Sequence, residues 1–445
     1  MATASEQATR SLNGYRAMPQ PLTIAETGID FALLVDLLLK TLHFAGRPSA
    51  RQLSDQLALS HPVIDSLLAF LRQEQAAEIM GSSGVGEQSY QYSLTDRGRH
   101  KAAEALERNQ YVGPTPVPFD QYVEVVDHQS VRNITISPET FLRELSHMVL
   151  GKKLLATLGP AIASGRSMLI YGASGNGKST ITMAVGRMLP GAVLVPYAVE
   201  VHGQIIRVFD PRLHQRVAEE VDPDRRHENG QQPVGVERRL DRRWEACKRP
   251  IVSAGGELTL EDLELRFSPV SRFYVAPLQW KANGGILIID DFGRQLVQPQ
   301  ELLNRWIVPM EQSVDHVSLQ SGETLEIPFD TVLIFSSNIQ PGRLGDEAFF
   351  RRIRHKVEIP NPTAEEFHEI LLRACTNYKV AYTEEGAQHM MNAHYRNANR
   401  DLKSCHPRDL VELVLDICTF YGEEPVLSPD RLDLAAANYF VENVV

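Results

Sequence analysis

"LIYGASGNGKSTITMAVGRML", residues 169–189, decides how the rest of this chain is read. It opens as a short apolar run of strand type and closes as an amphipathic helical run. Between them stand Gly172, Ala173, Ser174, Gly175, Asn176, Gly177, Lys178, Ser179 and Thr180. A loop that wraps an anion with its backbone N–H groups needs glycine, because side chains block the approach and some positions require positive φ. Gly172, Gly177, Lys178 and Ser179 fit the phosphate-loop spacing G-x-x-x-x-G-K-[ST]. Lys178 then sets a point charge beside the terminal phosphates, and the Ser179 hydroxyl is a ligand for Mg2+. The helix that follows turns its positive dipole end toward the anion.

A phosphate loop alone hydrolyses nothing; metal and water must also be positioned. "GGILIIDDFGRQ", residues 284–295, supplies four apolar residues and then Asp290 and Asp291. Such a run predicts a buried parallel strand that delivers acids at its C-terminal edge, where ligands bind in α/β sheets. Asp290 is expected to orient Mg2+, and Asp291 to orient or deprotonate the attacking water. "TVLIFSSN", residues 331–338, predicts a second buried strand ending at Asn338, whose amide can bond both water and the terminal phosphate.

With these come "DEAFFRRIRHKVEIPNPT" and a helical C-terminal region containing "HPRDLVELV". In this order the motifs resemble the AAA+ ATPases, over roughly residues 135–445. The resemblance implies ATP and Mg2+ as cofactors and a homo-oligomeric ring, usually a hexamer, with ATP at subunit boundaries. On it, Asn338 matches sensor 1, Arg351 or Arg352 the arginine finger that enters a neighbour's site, and Arg408 sensor 2. Arginine suits both roles, since it stays charged and stabilises the charge spread over a phosphoryl transition state. The family usually has Asp-Glu where this chain has Asp290-Asp291. The shorter side chain implies slow hydrolysis or a nucleotide-switched protein. No guanine-reading Asn-Lys-x-Asp occurs, which favours ATP over GTP.

The expected fold class is α/β: an N-terminal winged helix, a P-loop AAA+ parallel-sheet core and a C-terminal all-helical lid. The winged helix is expected over 25–112. "DFALLVDLLLKTLHFAG", "SARQLSDQLAL" and "SHPVIDSLLAFLRQEQ" read as three helices, with Ser49 and Ser60 or His61 near two of the starts. "AAEIMGSSGVGEQSYQYSLT" turns through Gly and Ser as a hairpin, and "LTDRGRHKAAEALER" closes the unit. Residues 1–24 read as a flexible tail and 113–134 as a linker, extended through the alternate prolines of "YVGPTPVPFDQY". The core then runs over 135–360 and the lid over 361–445, with Thr363 and Glu366 as a capping box. The stretch between Lys178 and Asp290 is longer than a compact nucleotide core needs, so something is inserted there. The charged residues 216–243 within it read as a mobile loop.

"DHVSLQSGETLEIPF" alternates around Ser321-Gly322, the pattern of a hairpin just before sensor 1. This resembles the branch of MoxR-like ATPases, MCM helicases and enhancer-binding activators. The activators' Gly-Ala-Phe-Thr-Gly-Ala loop is absent.

The chain of 445 residues carries a net charge of −11, so its bulk charge does not point to nucleic acid. The third helix has Arg72 as its one strong cation beside Asp65 and Glu74, and the wing has none, whereas phosphate contacts need several. Arg97, Arg99 and Lys101 offer a small patch on the next helix. A protein client is therefore favoured, with duplex DNA as the alternative partner. The four cysteines, Cys247, Cys375, Cys405 and Cys418, have no zinc spacing and read as thiols of a reducing compartment. No signal peptide or run of eighteen apolar residues is present, so the expected location is cytoplasmic, with no membrane span.

Overall fold

The computed structural model describes residues 18–82, 84, 87–217, 240–344 and 350–440. Residues 1–17 of the expected tail, 218–239 of the charged stretch and 345–349 before the paired arginines lie outside the described residues.

The N-terminal unit follows the expected order. Helices α1 (Phe31–Ala45), α2 (Ala50–Leu57) and α3 (His61–Gln73) precede strands β1 (Ala77–Ser82) and β2 (Tyr90–Leu94), then α4 (Asp96–Arg108). The strands pair antiparallel. Local chemistry sets the helix starts: Asp30 caps α1, Ser49 and Gln52 form a reciprocal capping box on α2, and Thr95 caps α4. Ser60 stands at the N-cap of α3, but its hydroxyl donates instead to Pro21 O at 2.6 Å. That bond, a bridge between Pro19 and Leu240, and the packing of Met18 hold residues 18–24 against the fold, so this part of the tail is not free.

The expected linker is extended only to Pro118. Strand β3 (Val117–Pro118) leads directly into helix α5 (Phe119–His128). Past the last proline nothing restrains the backbone, and Tyr122, Val125 and Val126 recur at helical spacing and are buried.

The nucleotide-type core begins with α6 (Pro138–Leu145) and α7 (Lys152–Ala163), then β4 (Met168–Tyr171) and α8 (Lys178–Met188). An insert follows: β5 (Ala192–Pro196), β6 (Ala198–Val201), β7 (Gln204–Arg207) and β8 (Trp244–Lys248). The chain rejoins the core as β9 (Ile251–Ala254). It leaves again through β10 (Arg266–Phe267), β11 (Tyr274–Val275) and α9 (Leu278–Lys281). Strand β12 (Gly285–Ile289), helix α10 (Pro299–Gln312), hairpin β13 (Val314–Ser318) and β14 (Thr324–Pro328), β15 (Thr331–Ser337), α11 (Pro341–Leu344) and β16 (His355–Glu358) complete it.

Strands β16, β4, β15, β12 and β9 form, in that order, one wholly parallel sheet. Every residue of β12 and β15 is buried, as a sheet covered on both faces requires. The insert builds a second sheet, β10-β11-β7-β6-β3, around Tyr122, Val199, Ile206 and Trp280. The hairpin β13–β14 packs on this second core through Val317 and Ile327. Ala198 and Ile205 of the insert also reach the core of the N-terminal unit. Beside them Arg243 is buried against Asp241 and donates to Thr27 O and Pro116 O, so the described end of the charged stretch is an anchor.

The C-terminal unit is helical: Ala364–Tyr378, Glu384–His389, a π-turn over Met390–Arg396, His406–Tyr421 and Pro429–Tyr439. Thr363 and Glu366 make the expected capping box. Among the described residues no helix is long and apolar enough to cross a membrane. The four cysteines are free thiols.

Candidate functional site

Strand β4 ends at Tyr171, and the loop that leaves it needs its glycines. Gly172, Gly175 and Gly177 have φ of 144°, 87° and 79°. A Cβ on Gly172 would stand 2.2 Å from Ile359 O, inside any permitted contact. Gly177 is the left-handed N-cap of α8, so the helix begins at Lys178 with its free N–H groups facing the loop. Lys178 is 6% exposed and donates from Nζ to Ala173 O at 2.9 Å. Burial pulls its pKa below the ordinary lysine value, while Asp291 and Asp290 oppose that shift.

The acids arrive at the C-terminal end of β12. Asp290 Oδ2 accepts the Ser179 hydroxyl at 2.8 Å. Asp291 has φ of 48°, a left-handed conformation that costs a non-glycine residue about 1 kcal/mol or more. The turn is clamped all round. Phe292 N donates to Ser336 O at 2.7 Å, Ser337 Oγ donates to Phe292 O at 2.6 Å, and Gln295 Nε2 donates to Asp290 O at 2.9 Å. So held, Asp291 Oδ1 accepts Asn338 Nδ2 at 2.6 Å. Asn338 Oδ1 is buried with no hydrogen-bond partner among the described residues.

The helical unit closes the other side. Asn176 is buried, with Nδ2 donating to Asn361 Oδ1 at 2.8 Å and Oδ1 accepting Ser404 N at 3.1 Å. Gly175 O accepts Cys405 N at 2.9 Å. Arg408, in the first turn of helix His406–Tyr421, reaches the cavity but rests its guanidinium on Asp409, which also accepts Tyr439 OH at 2.7 Å. The bond to Asp409 pushes the Arg408 pKa above its ordinary value. Together these parts enclose a cavity of about 710 Å³.

The structure thus gathers Ser174 to Thr180, Asp290, Asp291, Asn338 and Arg408 around one space. Ala173 supports it from behind through Lys178, and Gly172 through its bond to Ser337 O. Arg351 and Arg352 do not line it. Arg351 is exposed, and Arg352 donates from Nε to Glu311 on α10 at 2.5 Å. Sequence reasoning missed His147 to Leu150, Arg294, Ile370, Arg373 and Tyr378, all of which face the cavity. Ile370, Ala374 and Tyr378 do recur every four residues, but a helical stripe does not say what it faces.

Parallel order, phosphate-type loop and adjoining helical unit together define an α/β core of P-loop type. A family model described as a domain of unknown function (DUF8689) matches residues 363–438, the helical unit. No curated protein matches the chain. Among solved structures it is similar to NtrX from Brucella abortus in complex with ADP, at 15% identity and a TM-score of 0.40, covering 78% of this chain and 68% of that one. It is similar to the same protein in complex with ATP at 14% identity and 0.39, covering 77% and 64%. The RuvB Holliday junction branch migration motor of Thermotoga maritima is similar at 15% and 0.35, covering 69% and 72%.

Proposed function

We propose that this chain is an Mg2+-dependent ATPase that works as a ring and acts on a protein client. The observation that carries the reading is the convergence, on one cavity, of the glycine loop, Lys178, the Ser179–Asp290 pair and the Asp291–Asn338 pair. The loop amides and Lys178 hold the phosphates, and Met148, Leu150, Ile370 and Tyr378 give the base a largely apolar wall. A hydroxyl and a carboxylate 2.8 Å apart are the hard oxygen donors that Mg2+ takes, so Ser179 and Asp290 fit that ion; bound there with ATP it neutralises phosphate charge. Asp291 orients the attacking water, Asn338 fixes Asp291, and Arg408 leaves Asp409 for the phosphates. Arg351, exposed and away from its own chain's cavity, is assigned to a neighbour's site, with Arg352 held on Glu311.

The N-terminal unit is read as a winged-helix adaptor. The small cationic patch on α4 is drawn onto carboxylates: Arg97 and Lys101 both pair with Glu74, at 3.1 and 3.0 Å, and Arg99 with Asp96 at 2.5 Å. A patch so paired has less charge to offer DNA phosphates, which supports a protein partner. The hairpin β13–β14 before β15 supports placement in the MoxR-like branch.

The test is calorimetric titration with ATP and Mg2+. Lys178→Ala removes the buried charge and is expected to weaken ATP binding by at least about tenfold, since ligand-directed charge-assisted bonds are the strong ones. Equal affinity in parent and variant would end the phosphate-loop reading.

A further inference from the structure

A second cluster of ligand-type side chains lies in the helical unit, outside the cavity. His389 ends helix Glu384–His389, His394 lies in the π-turn, and Asp433 sits on helix Pro429–Tyr439. His389 Nε2 and His394 Nε2 lie 2.7 and 2.9 Å from the same atom, Asp433 Oδ1. One ligand atom from each of the three residues lies within 4.8 Å of the other two.

The backbone explains the convergence. In an α-helix, residues five apart point about 140° away from each other, at about 100° per residue. The π-turn closes i to i+5 and so returns the fifth residue to the same face. Such turns are rare and gather at functional sites. Here the one over Met390–Arg396 is what lets two imidazoles meet one carboxylate.

We propose that His389, His394 and Asp433 form a binding site for a divalent transition-metal ion of the Zn2+ class. Two imidazole nitrogens and one carboxylate oxygen suit zinc, nickel or copper and not Mg2+ or Ca2+, which take oxygen. Zinc–ligand distances of about 2.0–2.2 Å in a tetrahedron set ligand atoms roughly 3.3 Å apart. The present contacts therefore open by about half an ångström each, as each ring presents its Nε2 lone pair and keeps its proton on Nδ1. The three side chains are 31%, 18% and 53% exposed, which leaves room for that shift and a fourth position for water. The bound ion clasps the π-turn to the last helix. The π-turn carries Tyr395, bonded to His406 Nδ1 at 3.0 Å, and the last helix carries Tyr439, bonded to Asp409 beside Arg408.

The full chain, freed of tag and of metal, is titrated with ZnCl2 by calorimetry in the absence of nucleotide. One Zn2+ per chain is expected, unaffected by excess Mg2+, and at least about tenfold weaker in His394→Asn and in Asp433→Asn. Ser179→Ala is expected to bind Zn2+ as the parent does, which separates this site from the oxygen donors of the phosphate loop. Zn2+ should also raise the melting temperature of the parent and not of the two lid variants. Equal Zn2+ affinity in parent and lid variants, or loss of it in Ser179→Ala alone, overturns the site. Should a lid variant melt below the metal-free parent, modification of the parent by diethyl pyrocarbonate decides. Protection of His389 and His394 by Zn2+ upholds the site, and equal labelling with and without it overturns it.

Discussion

Asp291 is the residue where the chain spends backbone strain for position. Its left-handed turn and the bond from Asn338 fix a carboxylate beside Asp290 and Lys178. Asp291→Asn keeps the shape and removes the carboxylate proposed as the base. It is expected to retain ATP and to lower single-turnover hydrolysis by at least about a hundredfold; turnover at the parent rate would place the base elsewhere. At this scale the sequence was informative wherever one short segment holds both the scaffold and the chemistry. Lys178, Ser179, Asp290, Asp291 and Asn338 each end a strand or start a helix, and strand edge plus residue type places them. Arg408 was legible as a residue of a first helical turn, but its rest position on Asp409 was not. Adjacent residues on a helix do not ordinarily face each other, and nothing in the sequence says which of two carboxylates or phosphates an arginine holds. His147 to Leu150 carry no catalytic chemistry, so only tertiary packing reveals them.

Elements show a similar division. Caps are written locally: Ser49 and Thr363 each have a glutamine or glutamate three residues on, and both pairs close as capping boxes. The second sheet was not legible, because strands of two to four residues such as β3, β6, β7, β10 and β11 are too short to show a period. The π-turn was missed for a related reason: its i, i+5 pairing looks like no period at all in a helical reading. The helix that follows carries its own pH response. His406 is 6% exposed against Tyr439 and Phe440, and burial brings its pKa down to about 4. Above pH 6.5 the ring is neutral in folded and unfolded chain alike, and stability is full. As the pH falls from 6.5 toward 4 the unfolded chain takes up the proton and the folded helix does not, so stability is lost, by roughly 3 kcal/mol once the window is crossed. Melting temperature recorded across this range should fall, and His406→Phe should flatten the slope; an unchanged slope in the variant would assign the loss to other groups.

Across the whole molecule five hydrophobic cores are present among the described residues: that of the N-terminal unit, that of the insert sheet, which reaches the first through Ala198 and Ile205, one on each face of the parallel sheet, and that of the helical unit. The cavity gathers Lys178, Ser179, Asp290, Asp291 and Asn338, while Arg351 lies outside it. In the proposed ring, Arg351 of each subunit would complete its neighbour's site. Turnover per subunit is expected to rise with protein concentration, and Arg351→Ala should abolish it while sparing ATP binding, a finger being worth about a thousandfold or more. Mixing Arg351→Ala with Lys178→Ala protein should restore activity at boundaries that combine an intact loop with an intact arginine. Turnover per subunit that stays flat down to concentrations where only monomer exists would rule out the ring.

The seam between loop and lid has a further consequence. Two of its three bonds use the main-chain amides of Ser404 and Cys405, groups that every residue except proline possesses. The attachment therefore governs the path of the chain and is nearly blind to its composition. The side chains at 404 and 405 can change and leave the lid docked on the same loop, so long as the bend ahead of His406 survives and no proline enters at either position.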